Sequence, residues 1–397
     1  MRPILFITII LIGFTVKAQN DSTYKYRKDI YDIGRSVFKS RAQRKADSIA
    51  GKPPRIFWSI LPGFGYAQQK GFSGVCTNNA SFYTSKDSNI KISSVDFILE
   101  YTQFKQFIFP VISNIWLHNN RYNILGDWRF MKYSTKAYGL GGKSKNTDGE
   151  LVNYNFLRFY QLVMRRFAPD LLAGIGYNLD YHWDISSDKS NKGYINQEIR
   201  SYGLPLKTIS SGITLNLMYD PRHNANNPTK GYFANIIYRV NNKRIGSNAN
   251  WSSLLIDLRK YITIPSNSRN VLAFWSYNLF TLNGNQPYFD LPGNGWDTKA
   301  NTSRAYRQGR YTSKNMVYLE SEYRFELTRN GLFAGVIFAN MMYVSNKANN
   351  QFDPMLPGAG CGIRMLTNKF SNTHLVLTYS VGKYGAQGFS FNLGEAF

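Results

Sequence analysis

The chain has 397 residues, a formal net charge of +24, 16% aromatic residues, two cysteines and a mean hydropathy of −0.35. That balance, with no apolar run of helix-spanning length beyond the amino terminus, excludes an α-helical membrane protein, and two cysteines exclude a disulfide framework. The basic residues are spread along the chain and form no single block, which argues against a nucleic-acid surface and suits attraction to an anionic one such as a Gram-negative outer leaflet.

Residues 1–18 open on Met1-Arg2, run through an apolar stretch from Ile4 to Val16 and close on Val16-Lys17-Ala18. This is the pattern of a secretory signal peptide cleaved after Ala18. The apolar stretch is shorter than the roughly 20 residues of a spanning helix, and no Cys lies nearby to carry a lipid anchor. Residues 19–54 are basic and polar, with Lys25, Arg27, Lys28, Arg35, Lys39, Arg41, Arg44 and Lys45, and end at Pro53-Pro54. They predict a periplasmic tail with a helical turn or two between Asp32 and Ala50, too short for a domain.

From Arg55 to Phe397 the chain alternates. Arg121 to Met131 sets Tyr122, Ile124, Trp128 and Phe130 on one face and Arg121, Asn123, Asp127 and Arg129 on the other. Ile175 to Asp184 repeats this, with Ile175, Tyr177, Leu179, Tyr181 and Trp183 against Asn178, Asp180, His182 and Asp184. Period-two alternation with aromatic residues near strand ends predicts an all-β fold, a transmembrane antiparallel β-barrel whose aromatic face meets lipid and whose polar face meets a wet lumen. A secreted soluble β-protein is the alternative. Runs of this kind start near Arg55, Gly71, Lys91, Lys105, Arg121, Leu151, Asp170, Leu204, Lys230, Trp251, Asn270, Lys314, Leu332, Met355, Thr373 and Gly388. They predict about sixteen strands, an even number as bacterial single-chain barrels require.

Parity orients the barrel. With both termini periplasmic, the short connections 118–120, 168–170 and 328–331 are periplasmic turns, and the long ones 134–150, 186–203 and 283–313 are external loops, the asymmetry expected of such barrels. The longest loop follows the eleventh strand and holds Ser303-Arg304-Ala305-Tyr306-Arg307-Gln308-Gly309-Arg310-Tyr311. Arg and Tyr alternating with small residues cannot form a lipid-facing strand, because a charge facing hydrocarbon costs several kcal/mol near the bilayer centre. This sixth external loop can lie solvated outside the barrel or line a polar cavity.

Leu291-Pro292-Gly293 followed by Arg304-Ala305-Tyr306 with Gly309 and Arg310 resembles the sixth-loop motif of the BamA/TamA family of outer-membrane assembly factors, which share the bacterial surface antigen barrel. Arg304 stands at that motif's arginine and Tyr306 at its aromatic residue, whereas Ser303 and Ala305 depart from it. Tyr219-Asp220-Pro221-Arg222-His223 with Pro228 and Gly231 is similar to the family's Asp-x-Arg-Asp and Pro-x-x-Gly turn, with His223 in place of the acid. Glu322-Tyr323-Arg324-Phe325 and Gly360-Cys361-Gly362-Ile363-Arg364 continue the resemblance, and Phe338-Ala339-Asn340 carries Asn340 where the family usually has Asp. The resemblance implies that the sixth loop folds inward and that Arg304 docks on the lumen wall. Alternation puts Glu320, Glu322, Arg324 and Glu326 on that wall, with Glu322 the first partner and Asn340 a weaker neutral acceptor. Phe389, Phe391, Leu393 and Phe397 share one face of the last strand and resemble the carboxy-terminal signal by which assembly machinery recognises barrels.

The resemblance also implies a non-enzymatic role in inserting or translocating outer-membrane polypeptides, from a short form without POTRA domains. Its partners would be outer-membrane lipid and lipopolysaccharide, client or passenger polypeptides, and a separate periplasmic protein docking on the basic tail; nucleic acid is not among them. A transport pore gated by the sixth loop and a surface adhesion barrel are the competing readings. No cofactor or metal is expected, because His118, His182, His223 and His374 lack ligand spacing. Gly141-Gly142-Lys143-Ser144 lacks the first glycine of a phosphate-binding loop. Ser186, His182 and Asp184 lie too close along one strand to form a triad. Cys76 and Cys361 are expected as unpaired buried thiols.

Overall fold

The computed structural model describes residues 27–30, 32–33, 56–67, 71–85, 90–144, 149–187, 206–222, 224–225, 227–346, 350–369 and 372–397. The proposed signal peptide, most of the basic tail and His223 lie outside the described residues. The strands are β1 (Ile56–Ala67), β2 (Gly71–Phe82), β3 (Ser93–Thr102), β4 (Phe107–Leu117), β5 (Tyr122–Ala137), β6 (Glu150–Ala168), β7 (Leu171–Ser187) and β8 (Thr208–Tyr219). They continue as β9 (Gly231–Asn241), β10 (Trp251–Thr263), β11 (Val271–Gly284), β12 (Asn315–Glu326), β13 (Phe333–Val344), β14 (Leu356–Asn368), β15 (Thr373–Gly382) and β16 (Gln387–Leu393). All sixteen pair with their sequence neighbours in one antiparallel sheet ordered β1 to β16. Each begins within a few residues of the start that alternation marks, because a two-sided wall imposes its period on every strand.

Exposure follows the pleat. In β5, Trp128 and Phe130 are exposed while Asn123 and Arg129 are buried in the interior; in β7, Ile175 and Tyr177 are exposed while Asp180 and His182 are buried. Asp184 departs from its expected place with the lumen set. It takes a left-handed backbone at φ 53 and is exposed, so Ile185 turns inward and is buried. The ladder between β6 and β7 slips nearby, between Asn153 and Asn155, as a local bulge requires. Strands β5 to β7 run to 16, 19 and 17 residues. β6 and β7 are joined by Pro169-Asp170 alone, so their extra length rises at the end that carries the long loops.

The two ends of the sheet lie against each other without a ladder among the described residues. A side chain at Gly63 of β1 would meet the Phe391 ring of β16 at 4.0 Å, yet β16 pairs only with β15. Both cysteines are free, but neither is buried: Cys361 is exposed and Cys76 half-buried, since odd positions of β14 point outward.

At the short-turn end, residues 27–30, 32 and 33 sit across the turns that follow β12 and β14. Lys28 N donates to Asn330 O at 3.1 Å, Arg27 Nη2 to Asn372 Oδ1 at 2.9 Å, and Lys369 Nζ meets Asp32 Oδ2 at 2.7 Å. Asp29 and Asp32 each accept the other's backbone N–H, at 2.9 and 3.2 Å, a capping pair at the start of a helical turn from Ile30; the turn expected between Asp32 and Ala50 lies almost wholly outside the described residues.

Candidate functional site: the loop inside the barrel

Residues 285–314, between β11 and β12, fill the interior. Gly284 leaves β11 with φ 76 and Pro287 starts a 3-10 turn over Tyr288–Asp290. Further on, the Asp297 carboxylate accepts from the N–H of Asn301 at 3.0 Å, the N–H of Thr302 at 2.7 Å and the Thr302 hydroxyl at 2.7 Å. That knot fixes the loop before Ser303, which takes φ 62 and aims Arg304 at the wall. The left-handed residue is therefore Ser303, and Ala305 takes no positive φ.

Arg304 is buried, and one nitrogen, Nη2, donates both to Glu320 Oε1 and, at 2.7 Å, to Glu322 Oε2. Its guanidinium lies 3.6 Å from the centroid of the Phe338 ring. Glu322 also accepts from Arg324 Nε at 2.6 Å, and Glu320 from the Tyr318 hydroxyl. Two carboxylates on one strand face, both out of water, repel unless cations lie between them. Arg304 and Arg324 supply those charges, one from the loop and one from the wall. Burial works against the Arg304 charge, but the two carboxylates outweigh it and hold the group above its ordinary range. Asn340 does not accept from Arg304: its Nδ2 donates to Glu320 at 3.3 Å. An acid there would add a third carboxylate, and the amide avoids that. Glu326 lies at the rim and pairs with Arg269 at 2.8 Å.

Ala305 packs into a niche made by two glycines of the wall. A Cβ at Gly358 or Gly382 would come within 3.1 Å of the Ala305 methyl. Tyr306 then donates its hydroxyl to Pro357 O at 2.6 Å and accepts the Lys383 N–H at 2.9 Å, while Ser380 Oγ donates to Arg304 O at 3.1 Å. Arg310 turns away from the wall after Gly309, which takes φ 67. It donates to Ser144 Oγ at 2.6 Å and Ser144 O at 2.5 Å, with the Tyr138 ring 4.2 Å away. The segment that mimics a phosphate-binding loop is thus a clasp: Gly141 N donates to Thr312 O and Gly142 N to Asp353 Oδ2 at 2.8 Å.

Phe397 is not on the lipid face. Phe389 and Phe391 are exposed there, but Gly394 takes φ 89, ends the strand and turns Glu395-Ala396-Phe397 into the interior. Phe397 stacks on Trp275 at 5.0 Å, and Glu395 accepts from Arg364 Nε at 3.0 Å and lies 3.2 Å from His374 and 3.5 Å from Arg324. Burial alone would raise the Glu395 carboxyl, but Arg364 and Arg324 hold it well below the usual carboxylate range. The loop grips this segment as well, through Lys299 Nζ to Glu395 O at 2.8 Å and Asn301 Nδ2 to Ala396 O at 3.1 Å. Strand alternation conceals these contacts; the signal available was Gly394 followed by an acid, a poor continuation of a strand.

At its beginning the loop holds a different wall. Tyr288 and Leu291, with Phe289 and Trp296 half-buried beside them, pack among Tyr133, Tyr154, Phe156 and Ile185 of β5 to β7. The Phe289 and Tyr154 rings lie 4.6 Å apart. Asp290 accepts from Ser210 Oγ at 2.5 Å and lies 3.8 Å from His182; burial and the nearby Asp180 push its carboxyl up to about 7. Among the described residues no group of His, Cys, Asp and Glu has the arrangement of a metal site.

The Omp85 superfamily domain matches residues 114–397 of this chain. No curated protein matches it. Among solved structures, BamA from Haemophilus ducreyi lacking POTRA domains 1–3 is similar at 13% identity with a TM-score of 0.54, over 86% of this chain and 69% of that one. CdiB from Acinetobacter baumannii is similar at 13% identity and a TM-score of 0.52, over 86% of this chain and 60% of that one. At these identities the likeness shows the fold, a sixteen-stranded barrel.

Proposed function

The chain belongs to the Omp85 superfamily of outer-membrane β-barrels, and from that premise we propose that it assists the insertion, assembly or translocation of outer-membrane polypeptides, without catalysing a reaction. The observation that carries this reading is the seam. β16 has seven residues against twelve in β1, and Pro62, Gly63 and Gly65 weaken the β1 edge, since Pro lacks a ladder donor and Gly lacks a side chain to pack. Edges that lie together without a ladder can each take a client strand through its backbone. The inward loop links the wall to the segment beside that seam: Arg304 ties β12 to the loop, and Asn301 and Lys299 tie the loop to the segment after β16.

In this reading the short turns face the periplasm, residues 1–18 are removed on export, residues 19–54 lie at the periplasmic mouth and residues 55–397 form the barrel. The acidic pair Asp29 and Asp32 already rests on the barrel's own turns, so a separate periplasmic protein would dock on the remaining tail. Depleting the protein and measuring the abundance of other outer-membrane barrels tests the proposal: their levels fall if it assembles them, and unchanged levels overturn it. The loop that occupies the lumen also favours a second reading, a pore it gates. Purified protein in planar bilayers should then conduct more after Arg304→Ala, and an unchanged, silent membrane rejects that reading.

A further inference from the structure

Over much of the outer wall large side chains fill the lipid-facing positions, as where Trp128 stacks on Phe159 at 5.7 Å between β5 and β6. Between β10 and β13 the pattern changes. The ladders set Ser276 between Leu258 and Leu319, and Ser321 between Phe274 and Ala339. Small residues thereby fall in two adjacent rows, Ser276 in one and Ser321 with Ala339 in the next, while Leu258, Phe274, Leu319 and Met341 stand around them 37% to 43% exposed. The result is a cavity of about 810 Å³ on the outer wall, a volume in the range of roughly 300–1,000 Å³ that small-molecule sites occupy.

The groove has a charged end. Lys260 lies on the same face as Leu258, opposite Tyr232 and Phe274 in the ladders, and its amine is 5.1 Å from the centroid of the Tyr232 ring. It stands near the short-turn end of β10, which closes at Thr263, at the level where Tyr219 and Tyr232 form an aromatic rim. Lys260 is exposed, and an exposed ammonium on a membrane-facing wall is tolerable where its stem can lie along apolar surface and its head can reach an anion at the interface.

We propose that this groove holds one phospholipid of the periplasmic leaflet, an acyl chain lying over Ser276, Ser321 and Ala339 and the phosphate on Lys260. The leaflet rests on the orientation given above, with the short turns periplasmic. Bulk lipid is as apolar as the groove, so burial alone gives no preference for it. Retention depends on the fit of a chain to the depression and on the ammonium–phosphate contact, and each can be removed separately. Ser321→Phe fills the depression, and Lys260→Gln removes the charge, leaving a shorter neutral side chain.

The test is native mass spectrometry of the full-length protein released from nanodiscs of equal phosphatidylethanolamine and phosphatidylglycerol, with heat-modifiable gel migration to verify folding of each variant. The wild type should retain one phospholipid. Lys260→Gln should lower the retained fraction about fivefold, the size expected for one lysine near a lipid surface, and Ser321→Phe should abolish retention. Retention unchanged by either substitution, an empty wild type, or lipid A held at this site when the protein is taken from outer membranes overturns the proposal. A lipid retained by a protein whose depletion leaves other barrels unchanged would keep this site and reject only the assembly role.

Discussion

The loop between β11 and β12 is anchored twice, and the anchors use opposite chemistry. Near its start Tyr288 and Leu291 insert among Tyr133, Tyr154 and Phe156, an apolar contact with β5 to β7 in which one carboxylate, Asp290, is left close to neutrality. Near its end Arg304 supplies a charge to two buried carboxylates of β12, and Tyr306 is hydrogen-bonded between β14 and the turn after β15. An apolar anchor loses free energy in proportion to the surface it gives up. A buried ionic anchor resists loss more abruptly, since withdrawing one partner strands the other charges out of water. Both sides of the barrel are thereby held to one loop, with the release point expected at the apolar end.

The largest effect should follow Arg304→Ala. It leaves Glu320 and Glu322 with only Arg324 between them and should destabilise the folded barrel by about 3–5 kcal/mol, read as a lowered midpoint of urea unfolding in lipid vesicles. Reversing charge at 322 as well should fail to rescue, because Arg324 Nε lies 2.6 Å from that carboxylate; rescue would show that Arg304 acts elsewhere. Tyr288→Ala should cost less, about 3 kcal/mol for a buried aromatic, and should expose the first half of the loop to protease while cleavage near Arg304 stays slow. Equal cleavage at both ends would mean that the anchors are one cooperative unit.

The smallest effect is one of pH. The folded value of Asp290 lies above its unfolded one, so the folded state binds this proton more tightly. Its contribution to docking is full below the ordinary carboxylate range, near pH 4, and is lost as pH rises through about 7. Trp296 packs in the same cluster, and its fluorescence should change over that window at the apolar anchor. Asp290→Asn should flatten the curve, and an unaltered curve would assign the change to another group.

Much of this site could be read along the chain because its parts lie on strands. Glu320, Glu322 and Arg324 share a face through the period of two, and Arg304 is too polar to meet lipid. What could not be read lies where that period breaks or where distant strands meet. The left-handed Asp184 swaps the faces of two residues, so that Ile185 joins the apolar anchor. Gly394 turns Phe397 from the expected lipid face to Trp275. Gly358 and Gly382 become a niche for Ala305 only when β14 and β15 are set beside the loop, and Ser144 meets the loop, with Asp353 holding the neighbouring Gly142, from connections far off in the chain.

By itself, then, the sequence determined a sixteen-stranded wall, its two faces and that its longest loop cannot meet lipid, since alternation and desolvation cost act locally on every residue. The tertiary structure alone decided which wall each half of the loop grips, that Asn340 donates where an acceptor was expected, that the last residues plug the interior, and that small side chains on neighbouring strands gather into one groove. Those depend on register and on left-handed turns, which set distances between residues that no local pattern connects.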